Sequence, residues 1–170
     1  MVQTAYLFVD IDGVLNTRDH LARQKEKYGK CSRMDWCPIA CNNLSRLCRK
    51  YGGRIVVSSS WRHEFSLAEL RECFEQNGIP GEYVIDTTPS HADQTDGGNY
   101  CRGHEIKAWL DGNATGKPVY LILDDREEML ESQQSSFIKV DFQDGFACQS
   151  SLIDAIQIIS ENGSLMKSLP

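Results

Sequence analysis

The chain has 170 residues, of which 41% are hydrophobic, and a net charge of −6 at pH 7, which together predict one domain with one sizeable core. This acidic balance argues against strong nonspecific binding to nucleic acid or to anionic membranes, since both need a basic surface. Its apolar runs are too short to cross a membrane and its N-terminus lacks the features of a secretion signal, so we expect one cytoplasmic domain over residues 1–170.

Strands and helices alternate from the N-terminus onward. Residues 5–9 form a continuous apolar run, as expected for a central strand that is covered on both faces. Pro38 begins a helical pattern that ends at Gly52, and residues 54–57 are a second buried strand. A capping-box sequence then predicts a helix over residues 66–78.

The second half of the chain continues this alternation. A weaker strand is predicted at residues 83–85 and a helix at residues 103–112. An apolar strand at residues 119–123, a shorter one at 137–140 and a last helix at 151–162 complete the order. Short apolar strands separated by helices imply right-handed crossovers, so the sequence predicts an α/β three-layer sandwich with a central parallel sheet.

Dense polar clusters follow three of the predicted strands. Asp10 and Asp12 follow the first strand, residues 58–62 (Ser-Ser-Ser-Trp-Arg) the second, and Asp124 and Asp125 the strand at 119–123. The carboxyl ends of parallel strands lie at one edge of a sheet, where ligands bind, so we expect these groups to converge. Four carboxylates with no clustered His or Cys favour a hard cation with oxygen ligands, and we predict a Mg²⁺ site.

Each cluster also has a simpler explanation. Asp12 followed by Gly13 is typical of a hairpin turn. Residues 58–62 could form a surface loop, and Asp124 with Asp125 could cap the helix that follows. Three polar strand ends in one parallel order are nevertheless poorly explained by chance.

These motifs carry a resemblance to a known family. The run Asp10-Ile11-Asp12-Gly13-Val14-Leu15-Asn16 after an apolar strand resembles the first motif of the haloacid dehalogenase (HAD) superfamily. Val57-Ser58 resembles its second motif, and Leu123-Asp124-Asp125 its fourth. More narrowly, residues 59–62, 102–110 and 121–125 are similar to the small branch found in multifunctional RNA-repair proteins.

The third motif departs from the superfamily pattern. That motif is usually a lysine at the start of the helix before the acidic strand. Arg102 stands at the corresponding position, and Lys107, one turn further along, is the alternative.

The resemblance implies a phosphatase that forms an aspartyl phosphate. Asp10 would attack phosphorus, and Asp12 would protonate the leaving oxygen and later accept a proton from water. Ser58, Ser59 and Arg102 would bind the phosphoryl oxygens. The metal ligands would be Asp10, the Asp12 backbone carbonyl and Asp124, with Asp125 beside them.

Two segments are candidates for small cap or flap elements. Residues 17–36 are rich in Lys and Arg, which suits guidance of a phosphorylated substrate and equally suits a solvated helix and loop. Residues 87–101 form a long polar stretch. A minimal cap favours a bulky substrate such as a nucleic-acid end, or a partner that closes the site.

Three functions remain open from the sequence. A Mg²⁺-dependent phosphomonoesterase acting on a phosphorylated small molecule, a nucleotide or a nucleic-acid end is the leading interpretation. A phosphotransferase or phosphomutase of the same fold is the second. A non-catalytic Mg²⁺-binding interaction module is the third, and the Asp10 and Asp12 pair argues against it.

Overall fold

The structure is a computed structural model and describes residues 4–90 and 101–165. Most of the segment predicted as a flap at 87–101 therefore lies outside the described residues. Within the described ranges, no helix combines the length and the apolar character needed to cross a membrane.

Five parallel strands form one sheet in the order β3-β2-β1-β4-β5. Its strands are β1 (Ala5–Val9), β2 (Arg54–Val57), β3 (Val84–Thr87), β4 (Val119–Asp124) and β5 (Phe137–Lys139). The helices are α1 (Arg18–Tyr28), α2 (Pro38–Tyr51), α3 (Leu67–Gln76), α4 (Arg102–Asn113) and α5 (Gln149–Leu165). The predicted α/β fold with a central parallel sheet is confirmed.

The central strand β1 is buried on both faces of the sheet. Leu7 and Val9 join a core cluster with residues of α2, α3 and α5. Phe8 joins a second cluster on the opposite face, which α4 covers with Ile106 and Trp109. The Trp109 ring meets the ring of Phe8 edge-on at 5.4 Å between centroids. The sheet is therefore the middle layer of three, as predicted.

The elements at the margins differ most from the sequence prediction. β3 extends to Thr87 rather than stopping at residue 85, because an edge strand tolerates polar residues and Asp86 accepts a hydrogen bond from Trp109 Nε1 at 2.6 Å. α4 continues past Gly112, since one glycine in a last turn costs only about 1 kcal/mol. α5 is longer than expected at both ends.

Candidate active site

The sheet register brings the predicted site residues to one edge. The parallel ladder continues beyond β1 and β2, because Asp10 N donates to Leu123 O at 3.0 Å and Ser58 N donates to Val9 O at 2.9 Å. Asp124 is the last residue of β4. Asp10, Ser58 and Asp124 consequently lie side by side at the carboxyl ends of three neighbouring strands.

Three carboxylates converge at this edge. Asp10, Asp124 and Asp125 each offer one oxygen, and these oxygens lie within 4.8 Å of one another. Asp10 is 5% exposed and Asp124 is fully buried. Oxygen donors grouped in this way fit a hard divalent cation such as Mg²⁺.

Burial and mutual repulsion disfavour the ionised form of the carboxylates in this cluster. Burial raises the pKa of Asp124 to about 7, with a further contribution from Asp10, while Arg102 acts in the opposite direction. Burial and the Asp10 charge also raise the pKa of Asp125. The three carboxylates leave net negative charge beside Arg102 at this edge of the sheet, which a divalent cation would neutralise.

Arg102 places its guanidinium in contact with the cluster. Its Nη1 lies 2.6 Å from Asp10 Oδ2 and 2.7 Å from Asp124 Oδ2. Burial opposes the charge, but the two carboxylates together raise the pKa of Arg102 above its ordinary value. Lys107 is exposed and pairs with Asp111 on the same helix. Of the two residues considered for the third motif, the structure brings Arg102 to the carboxylates and leaves Lys107 outside.

The Asp12 side chain stands apart from the acidic cluster. Asp12 Oδ1 accepts a hydrogen bond from Asn16 Nδ2 at 2.9 Å, and Asp12 Oδ2 accepts one from Trp61 Nε1 at 2.8 Å. Gly13 follows with a φ of +80°, and a Cβ there would lie 2.6 Å from Asp125 Oδ2. A glycine is thus required where the loop turns past the cluster.

The two predicted phosphate-binding serines differ in their surroundings. Ser58 is 1% exposed, and its Oγ has no hydrogen-bond partner among the described residues. Ser59 Oγ accepts a hydrogen bond from Trp61 N at 3.5 Å and so caps the 3₁₀ turn Ser60–His63. Of these two serines, Ser58 is the one whose hydroxyl has no partner among the described residues.

A buried ion pair joins the loop after β2 to α4. Arg62 donates from Nη2 to Glu105 Oε1 and from Nη1 to Ser59 O, the latter at 2.7 Å. The two side chains are 7% and 5% exposed. No role is predicted for this pair from the sequence, although Glu105 follows Arg102 by three residues and so shares its helix face.

The predicted cap segment at 17–36 consists of α1 and a loop that returns to the domain. In α1 only Gln24 is buried, as in a solvated helix. In the return loop, Arg33 pairs with Glu64 and its Cζ lies 4.7 Å above the centre of the Trp61 ring. The loop therefore contacts Trp61, whose indole N–H donates to Asp12. His63, two residues after Trp61, is exposed at the surface.

Comparison with known proteins agrees with this geometry. The family described as the HAD domain in Swiss Army Knife RNA repair proteins matches residues 6–150. No curated protein and no solved structure matches the chain. The matched range contains every site residue described above, and the resemblance found in the motifs is confirmed. The chain therefore belongs to the family of HAD domains of Swiss Army Knife RNA repair proteins.

Proposed function

We propose that this domain is a Mg²⁺-dependent phosphomonoester hydrolase that uses Asp10 as its nucleophile. The observation that carries the proposal is the convergence of the Asp10, Asp124 and Asp125 carboxylates beside Arg102 at the carboxyl edge of the sheet. Membership of an HAD family supports phosphatase-type chemistry at such an edge.

Electrostatic repulsion is the main barrier that such a site has to overcome. A phosphate monoester carries about two negative charges, and each repels a carboxylate at ~4 Å by roughly 4 kcal/mol at an effective dielectric of ~20. The total of ~8 kcal/mol corresponds to about six powers of ten in rate. A Mg²⁺ ion bound by Asp10, the Asp12 backbone carbonyl and Asp124, with Asp125 beside it, would supply charge neutralisation. Arg102 and the Ser58 hydroxyl would bind the phosphoryl oxygens.

Each carboxylate oxygen of Asp10 has a partner that orients the side chain. Ile11 N donates to Asp10 Oδ1 at 2.8 Å, and Arg102 contacts Oδ2. Attack by an Asp10 oxygen forms an O–P bond to give an aspartyl phosphate, and the bond from phosphorus to the leaving oxygen breaks. Asp12 donates its proton to that oxygen, then accepts one from the water that hydrolyses the aspartyl phosphate.

The proposed substrate class is supported by the family to which the chain belongs. A phosphorylated nucleotide or a nucleic-acid terminal phosphate fits a family described for RNA repair. Phosphate release should therefore be measured with Mg²⁺ on phosphorylated metabolites and on 3′- and 5′-phosphorylated oligonucleotides. Absence of release from every one of these substrates would contradict the proposal.

The nucleophile is tested by substitution and by stereochemistry. Asp10→Asn should lose nearly all activity, because a neutral amide is a far poorer nucleophile than a carboxylate. Two in-line displacements each invert phosphorus, so a chirally labelled monoester hydrolysed in isotopic water should give phosphate with net retention. Inversion, or substantial turnover by Asp10→Asn, would exclude the covalent route. The proposal of a Mg²⁺-dependent phosphohydrolase would still stand, with water attacking phosphorus directly.

A further inference from the structure

The row of polar side chains at the sheet edge extends one strand beyond Ser58. Thr88 directly follows β3, and its N donates to Val57 O at 3.0 Å, which continues the parallel ladder outward from Ser58. The positions across the edge are therefore Thr88, Ser58, Asp10 and Asp124, in the strand order of the sheet. No motif considered in the sequence includes Thr88.

Thr88 faces the same side of the sheet as Ser58. Asp86 reaches Trp109 of α4, and side chains alternate along a strand, so Thr88 also lies on the α4 side. Thr87 pairs with Val57, which belongs to the core cluster on the other side. Neighbouring parallel strands are about 4.8 Å apart, so the Ser58 and Thr88 side chains are adjacent on one face.

Both hydroxyls are buried, and neither has a partner within residues 4–90 and 101–165. Ser58 and Thr88 are each 1% exposed, and Ser58 Oγ and Thr88 Oγ1 have no hydrogen-bond partner among the described residues. Buried polar groups are nearly always hydrogen-bonded, and an exception needs an explanation such as a ligand. Ser58 lies next to the candidate nucleophile Asp10, and Thr88 lies next to Ser58, so one ligand that bonds to both hydroxyls would explain the two exceptions together.

We propose that Thr88 is a second hydroxyl ligand of the phosphoryl group, acting beside Ser58. This inference rests on the proposed function and adds a binding residue to the same site. A phosphate presents three acceptor oxygens, so hydroxyls on neighbouring strands can each donate to a different oxygen. Since both hydroxyls are covered in the free protein, the side chains above them must shift when phosphate binds.

The test compares four variants with the wild-type chain, using inorganic phosphate with Mg²⁺ as the ligand. Thr88→Val should bind phosphate at least fivefold more weakly in calorimetry, because valine keeps the shape and removes the hydroxyl. Thr88→Ser should bind like the wild type. Thr87→Val, the same change on the opposite face, should leave phosphate binding unchanged. Ser58→Ala should weaken binding independently of Thr88.

Thermal unfolding without ligand gives a second readout. Thr88→Val should melt at the same temperature as the wild type or higher, since it removes a buried unpaired group. A lower melting temperature for Thr88→Val would mean that the hydroxyl has a partner within the protein, and would overturn the inference. Wild-type affinity in Thr88→Val, with weaker binding by Ser58→Ala, would overturn this inference alone. A wild-type chain that binds no phosphate would overturn the proposed function as well.

Discussion

Arg102 and Lys107 lie five residues apart on α4 and have opposite surroundings. Arg102 contacts Asp10 and Asp124, whereas Lys107 is exposed and pairs with Asp111. A cation that faces the transferring phosphoryl group contributes to transition-state stabilisation, and a solvated cation on the outer helix face does not.

Arg102→Ala should therefore reduce kcat/KM by at least tenfold more than Lys107→Ala, which corresponds to about 1.4 kcal/mol. Steady-state kinetics on one phosphomonoester at saturating Mg²⁺ measures both variants. Arg102→Lys, which keeps the charge but loses the planar fork, should lie between them. The reverse order for the two alanine variants would assign the third motif to Lys107.

The sequence predicts the positions of site residues that directly follow central strands, but it does not predict contacts between distant segments. Asp10, Ser58 and Asp124 could be predicted because a parallel sheet brings strand ends to one edge. The separation of Asp12 from the cluster could not, because it depends on Trp61, 49 positions away along the chain. No local pattern encodes such a contact.

At the scale of elements, the 3₁₀ turn Ser60–His63 connects the loop after β2 to the loop after β1. Trp61 is fully buried, its ring meets Trp36 edge-on at 5.8 Å between centroids, and its Nε1 donates to Asp12 Oδ2. The indole N–H thus fixes the orientation of the proposed general acid. An oriented acid matters most when the leaving oxygen is strongly basic.

Trp61→Phe keeps an aromatic ring and removes this donor. We expect kcat/KM to fall at least tenfold more for an alkyl phosphate than for p-nitrophenyl phosphate, whose leaving group needs little protonation. Trp36→Phe is the matched control, because its Nε1 donates to Arg33 O instead. Equal losses on both substrates for Trp61→Phe would mean that Trp61 only supports packing.

Element boundaries were predictable where burial decides them. The predicted bounds of β1 and β2 match the structure, since both are continuous apolar runs inside the sheet. β3 was placed too early, because its last residues are polar and are retained by edge pairing and by the contact between Asp86 and Trp109. Periodicity carries no signal for such tertiary contacts.

At the scale of the whole molecule, we expect a cation bound at the acidic cluster to stabilise the folded state. Mg²⁺ that binds the cluster in the native state only should raise the melting temperature. At a concentration of 100 times Kd the gain is about 2.7 kcal/mol, or roughly 5–10 °C for a chain of this size.

Asp124→Asn should weaken the response to Mg²⁺ while leaving the metal-free protein as stable as before or more stable. The reason is that the asparagine removes a buried charge that repels Asp10. Scanning calorimetry with Mg²⁺ and with a chelator measures both effects. Asp111→Asn, an exposed change on α4, should respond like the wild type. A wild-type Mg²⁺ response in Asp124→Asn would exclude Asp124 as a metal ligand.

The first turn of α4 contacts residues that follow three different strands, and this constrains where the chain can change length. Arg102 contacts the carboxylates of β1 and β4, and Glu105 holds Arg62 of the loop after β2. One residue inserted between them would rotate Glu105 by about 100° around the helix axis and break one of the two connections. Beyond Asn113 the same insertion would fall in the exposed connection to β4 and leave both contacts in register. Length variation among relatives should therefore accumulate after α4 and be absent from its first turn.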